Sequence, residues 1–189
     1  MECMNESGFN KLYWGFLFIM LSFRIQGFDI LPNIVGYLFF AAGFSSLVSS
    51  SNYFSIAAKY NIPMIILSVF SIYQSPAQGG GIQLGILGIF SIPIAIASFV
   101  LNLLVIYNLF MGIKDMAEKG EQFDLANESD EKWNQFKMLQ IAALCSFIFI
   151  FIPLLGVLYI IGILVISIII TIGILGFIKR CNERLSTLK

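Results

Sequence analysis

Histidine is absent from the 189 residues, cysteine occurs three times, and charged residues make up only 12% of the chain. Each shortage closes a class of function. Without histidine, and without any CxxC pair, zinc, haem and imidazole-based general-base sites lose their usual ligands. The cysteines, Cys3, Cys145 and Cys181, are far apart and odd in number, so they imply no disulfide framework. Eleven basic residues balance eleven acidic ones, which leaves no electrostatic footprint for a nucleic-acid backbone. No GxxxxGK[ST] phosphate loop occurs, and the run Gly79-Gly80-Gly81 lacks the lysine. The only acidic cluster, between Asp115 and Glu131, lacks the Asp/Gly spacing of a divalent-metal loop. The first apolar run, from Leu12, follows Glu2, Glu6 and a single Lys11, with no small-x-small cleavage site after it, so no secretory signal is read. No catalytic, cofactor-binding or metal-ligating residue is assigned, and the chain reads as a non-enzyme.

What is present is apolar. Hydrophobic residues account for 58% of the chain and the mean hydropathy is +0.88. Charge is about half the roughly 25% of soluble domains, and a soluble domain of this size has too much surface to hide that apolar content. The composition predicts an all-α, polytopic integral membrane bundle, a single membrane domain over residues 1–189. A helix needs about 20 residues to cross roughly 30 Å of hydrocarbon. The charge-free intervals hold 29 residues between Asp29 and Lys59, 54 between Lys59 and Lys114, and 41 between Lys137 and Lys179. The first suits one crossing and the other two suit two each. Gln74-Ser75-Pro76-Ala77-Gln78 and the glycines after it split the longest interval, and Pro153-Leu154-Leu155-Gly156 splits the last. Six crossings result, near 9–28, 31–50, 60–74, 88–113, 138–153 and 156–178. Pro93 marks a break between a short outer piece and the fourth span, and Pro63 lies near the start of the third. The first segment keeps its 20 residues only if Arg24 snorkels near its end; the alternative is a re-entrant or interfacial helix.

Orientation follows from lysine and arginine, which stay on the cytoplasmic side. With both termini cytoplasmic, only Arg24 of the eleven basic residues falls outside. The chain is thus placed in the cell membrane as a multi-pass protein, with Cys3 and Cys181 facing the cytoplasm and Cys145 inside the fifth crossing. Residues 114–137 form the sizeable cytoplasmic loop, with seven acids against four lysines. Within it Asn127 can cap a helix whose first turn carries Glu128, Asp130 and Glu131, running into the fifth crossing with Trp133 at the interface. The loop is a solvated connector or a docking surface for a basic partner.

Two constellations are candidates for chemistry. Arg24 and Asp29 bracket the first outer turn, where Gly27 lets the chain reverse and Pro32 suits the start of the next helix. They are either an ion pair with a helix cap that shuts the hairpin, or a small extracytoplasmic site for a ligand or lipid headgroup. In the fourth crossing, Ser91, Ala95, Ser98 and Asn102 recur at helical spacing, with Gly88 extending the stripe. They form a packing seam, with Asn102 bonding a neighbouring helix, or a polar pathway that also takes in Asn108. Gly36 with Gly43, and Gly173 with Gly176, read as seam positions.

The stretch Gly27-Phe28-Asp29-Ile30-Leu31-Pro32-Asn33-Ile34-Val35-Gly36-Tyr37 resembles a motif of small, uncharacterised multi-pass membrane proteins of Gram-positive, spore-forming bacteria. The run Asn108-Leu109-Phe110-Met111-Gly112-Ile113-Lys114-Asp115-Met116-Ala117 is similar too. The family motif often has Asp where this chain has Asn33. The resemblance implies a membrane protein of bacterial source and no particular activity.

The leading expectation is a non-enzymatic membrane component, an accessory, immunity or assembly protein acting through helix–helix contacts. Its partners are the lipid bilayer and a membrane protein or a second copy. The alternative is a small oligomeric transporter or channel. Proton coupling is not expected of it, because crossings two to six hold no charged or histidine side chain.

Overall fold

The computed structural model describes residues 2–20, 24–25, 28–29, 33–71, 91–149 and 153–185. Over these the chain is all-α apart from one short ladder. Its helices are α1 (Glu2–Met20), α2 (Asn33–Leu47), α3 (Asn52–Ser71), α4 (Ser91–Lys119), α5 (Phe123–Phe149) and α6 (Pro153–Leu185). The ladder joins β1 (Arg24–Ile25) to β2 (Phe28–Asp29), antiparallel, with Arg24 opposite Asp29.

Each helix packs against the next, and α6 returns to pack on α1, so the helices close a ring. Contacts at two levels show that sequential neighbours run antiparallel. Phe44 meets Phe54 while Asn61 bonds Tyr37, between α2 and α3. Tyr107 meets Trp133 while Ser129 bonds Phe110, between α4 and α5. Arg184 pairs with Asp124 while Tyr159 bonds Ala142, between α5 and α6. One end of the ring therefore collects the charged side chains of α4, α5 and α6. The other carries the connection through the β1–β2 ladder.

The tightest contact is between α1 and α2. A Cβ on Gly36 would lie 2.6 Å from Ile19 Cγ1 and 2.9 Å from the Gly15 carbonyl, and one on Gly43 would lie 2.8 Å from Leu12. Gly8 likewise faces Leu47 at 2.8 Å. Glycines seven apart on both helices thus let the backbones touch. Gly36 and Gly43 do lie in a seam. Gly173 and Gly176 do not: the nearest neighbouring atoms to their Cβ positions are the Lys132 and Arg180 side chains, each at 3.7 Å.

Burial is uneven along the helices. In α6, Ile174, Phe177, Ile178, Cys181 and Leu185 are buried at helical spacing, a core-facing stripe. The preceding turns are mostly exposed, with only Gly156 and Thr171 buried between Leu154 and Gly173: Leu154 is 76% exposed and Ile172 65%. Phenylalanine is the commonest residue of the ring core, with the Phe40 and Phe44 ring centroids 5.4 Å apart and those of Phe110 and Phe177 6.3 Å apart. These are offset or tilted ring contacts that add to area burial.

The expected boundaries shift at several points, each for a physical reason. α1 ends at Met20, and Arg24, Ile25 and Phe28 belong to the ladder, so the first helix is not 9–28. At 19 residues it is still about 28 Å long at 1.5 Å per residue. α3 starts at Asn52 rather than at 60, because Ser51 caps it: its hydroxyl accepts from the Tyr53 amide at 3.3 Å. Lys59 is exposed on the outside of that helix and does not end it; Pro63 lies inside α3, not near its start. Residues 72–74, expected in the third crossing, and Gly88 and its two successors, expected in the fourth, lie outside the described residues. α4 begins at Ser91, with Pro93 in its first turn where no intrahelical amide bond is lost. The break near 153–156 is instead the first turn of α6.

The loop expected at 114–137 is almost wholly helical. α4 runs on to Lys119, and three residues suffice to reverse the chain. The Gln122 amide bonds the Ala117 carbonyl at 2.8 Å and the Glu121 amide bonds Glu118 at 3.1 Å, the Schellman arrangement. Glu121 takes the left-handed backbone this needs, with φ 55°, although Gly120 stands beside it. α5 then starts at Phe123 with Asp124 in its first turn, so Asn127 lies inside the helix and is not its cap.

Candidate functional site

The polar stripe of α4 divides. Ser98 and Asn102 line a cleft of about 220 Å³ between α2, α3 and α4, together with Asn33, Tyr37, Ser68 and the apolar wall of Met64, Leu67 and Phe99. Ala95 is exposed, and the side chain of Ser91 lies outside the described residues. Asn108 is elsewhere: buried, it donates to the Leu104 carbonyl of its own helix at 2.7 Å.

Along the cleft wall and just behind it, where Asn61 lies, the hydrogen bonding is only partly closed. The Tyr37 hydroxyl donates to Asn102 Oδ1 at 3.2 Å, tying α2 to α4. Asn61, fully buried, donates through Nδ2 to the Tyr37 carbonyl at 2.7 Å, tying α3 to α2. The Ser68 hydroxyl donates to the Ile65 carbonyl at 2.8 Å. Two amide oxygens, Asn33 Oδ1 and Asn61 Oδ1, are buried without a hydrogen-bond partner in the protein. A buried acceptor left unpaired costs on the order of 1–3 kcal/mol. Asn33 and Tyr37 are four apart on α2, and Asn61, Met64 and Ser68 share one face of α3. The sequence reading singled out neither set, since each falls in a helix whose apolar residues give no one-sided pattern.

Arg24 and Asp29 are cross-strand partners at the closed register of the ladder; their side chains lie outside the described residues. The hairpin expected there is present, and Asp29 sits in β2 four residues before α2, not at the helix cap position. The ladder places the two residues together but well apart in sequence from Ser98 and Asn102.

At the charged end, the acids are engaged within the fold. Lys114 bonds Asp130 at 2.6 Å, Lys119 bonds Asp115 at 2.7 Å, and Lys132 lies 3.8 Å from Glu128. Arg180 and Arg184 of α6 pair with Glu128 and Asp124 of α5. The Ser129 hydroxyl, buried, donates to the Phe110 carbonyl at 2.7 Å. Hydrogen bonding from the Arg184 guanidinium holds the exposed Asp124 carboxyl below its usual range. The arrangement is a clamp joining α4, α5 and α6. Cys181 lies under it, fully buried, and so is closed to surface reagents despite following Lys179 and Arg180. Among the described residues no group of three or more His, Cys, Asp or Glu side chains stands together to hold a metal ion.

Two helices, Pro93–Lys119 and Leu154–Leu185, are long and apolar enough to cross a membrane, and Asn33–Leu47 is a shorter apolar helix. Comparison with protein-family models, with curated proteins and with solved structures returns no match for the chain.

Proposed function

We propose that the chain is a multi-pass membrane protein with six crossings, both termini cytoplasmic, acting without catalysis through helix–helix contacts with a membrane partner or a second copy. The observation that carries this is α6. Its segment from Leu154 is apolar on nearly every side, yet only 11% of its most apolar stretch is buried. A helix apolar all round is normally buried in a core or in lipid, and this one is not buried in the core. Lipid, or another apolar helix, is the surrounding that fits it. The antiparallel ring supports six passes, because each turn of the chain returns it to the opposite end. The ion-pair clamp supports a cytoplasmic charged end, since ten of the eleven basic residues then lie inside. Membership in the spore-former group suggested by the Gly27–Tyr37 motif is part of the same proposal.

Topology is tested with single cysteines in a chain whose own cysteines are replaced by serine. Gln78→Cys should react with an impermeant maleimide in intact cells, and Glu118→Cys only after the membrane is opened. Equal labelling at both positions in intact cells would overturn the orientation. Affinity purification from native membranes then asks for a stoichiometric partner or a self-associated form.

A second reading, a small transporter or channel, is favoured by one observation, the partly unsatisfied polar cleft between α2, α3 and α4. On that reading the carried species is not a proton. Between Ile30 and Ala58, Tyr60 and Ile113, and Met138 and Ile178 the sequence holds no Asp, Glu, His, Lys or Arg to change protonation at depth. Proteoliposomes given a pH gradient should show no proton flux above empty vesicles.

A further inference from the structure

We propose that the cleft between α2, α3 and α4 is a binding site for a small neutral polyhydroxyl group, of glycerol size. Four features of the lining lead there. No lining residue is charged: Asn33, Tyr37, Ser68, Ser98 and Asn102 are its polar members, so an ion would lose its hydration with no opposite charge in return. Asn33 is one of these, and its amide oxygen has no hydrogen-bond partner in the protein, so its side chain keeps acceptor capacity that the fold does not use. The same residue's amide group and the Ser98 hydroxyl can donate, and an occupant's hydroxyl both donates and accepts through one atom. The volume, about 220 Å³, falls below the roughly 300–1,000 Å³ of pockets that take drug-sized ligands, while Phe99, Leu67 and Met64 offer an apolar wall to a carbon backbone.

The lining is held in shape independently of any occupant. Tyr37 is fixed from α4 through its hydroxyl to Asn102 at 3.2 Å and from α3 through its backbone carbonyl to Asn61 at 2.7 Å, so three helices meet at one residue. That preorganisation lowers the cost of binding. The group recognised is the same whether it belongs to free glycerol or heads a monoacylglycerol drawn from the bilayer. Binding here does not depend on the orientation or the number of crossings proposed above.

Saturation-transfer difference NMR on the purified full-length protein in nanodiscs detects such weak binding directly. Two probes are used, glycerol and a short-chain monoacylglycerol. A saturable signal from glycerol protons is expected with the wild-type protein. Ser98→Phe, which fills the cleft, should abolish it. Ser98→Val, close in size and certain to disturb packing less, should weaken it at least threefold. Ile96→Phe, on an exposed position of the same helix, should leave it unchanged. A signal from the monoacylglycerol headgroup alone, lost in the Ser98 variants, assigns the source to the membrane. No saturable signal from either probe, or a signal indifferent to both Ser98 variants, overturns the proposal and leaves the cleft to water.

Discussion

The two ends of the ring are held by different means. At the charged end the helices interlock: Phe110, Phe136 and Phe177 are buried, Ser129 bonds across to α4, and arginines of α6 clamp the acids of α5. Toward the other end α4 and α6 present apolar side chains outward, with Leu158 61% exposed and Gly162 facing open space. Phe177 and Leu158 lie on one helix in one uncharged, mainly apolar run, and only the first is buried. Apolar character therefore does not say where a residue sits in this protein; the neighbours do. In lipid the exposed half costs nothing, because acyl chains are as apolar as leucine and offer the same surroundings.

Substitutions at matched positions break or sharpen that contrast. Phe110→Ala should cost about 3–5 kcal/mol through the cavity it leaves, read as a fall in the thermal midpoint of the purified protein. Leu158→Ala should stay within about 0.5 kcal/mol; an equal loss at both would mean the exposed half is packed after all. The glycines give the next largest difference. Gly36→Val places carbon against the Gly15 backbone and should cost about 3 kcal/mol, whereas Gly162→Ala meets nothing and should gain up to about 1 kcal/mol of helix propensity. In the clamp, Glu128→Gln leaves Arg180 and Lys132 facing each other without their shared acid and should cost about 1 kcal/mol. At the α4–α5 turn, Glu121→Gly relieves a left-handed non-glycine residue and should stabilise by about 0.5–1 kcal/mol. The smallest effect is pH-dependent. Because pairing with Arg184 lowers the Asp124 carboxyl in the folded chain, its contribution is present above about pH 4 and lost as pH falls through the lowered value. Asp124→Asn should therefore lower the thermal midpoint slightly at pH 7, and the gap to wild type should close as pH falls through that lowered value.

The sequence showed the helical class, the hairpin and the seam at Gly36 and Gly43, because each rests on a local signal: charge-free length, a glycine between two polar residues, and seven-residue spacing. The boundaries misled where charge was taken as punctuation. Lys59 and Lys114 sit on helix surfaces and interrupt nothing, while the true boundaries are capping devices, the Ser51 hydroxyl that starts α3 and the left-handed Glu121 that ends α4. The cleft was half legible. Ser98 and Asn102 stand out on α4, but Tyr37 and Asn61 join them only through three-helix packing, which no spacing within one helix encodes. The burial of Cys181 was hidden for the same reason: its charged neighbours Lys179 and Arg180 are exposed, while the helix turns the thiol inward.

The return of α6 onto α1 has a bearing on how the ring is made. Apart from the ring contacts Phe110–Phe177 and Phe16–Phe136, the other joints link helices adjacent in sequence, so each can form as soon as the second member emerges. The α1–α6 joint spans nearly the whole described chain, and such distant contacts are the slow ones. Until α6 arrives, α1 has a partner on one side only, and the clamp acids of α5 wait for Arg180 and Arg184. Synthesis interrupted before α6 thus releases an open row of helices with a bare flank and unpaired acids, the kind of unfinished product that membrane quality control removes.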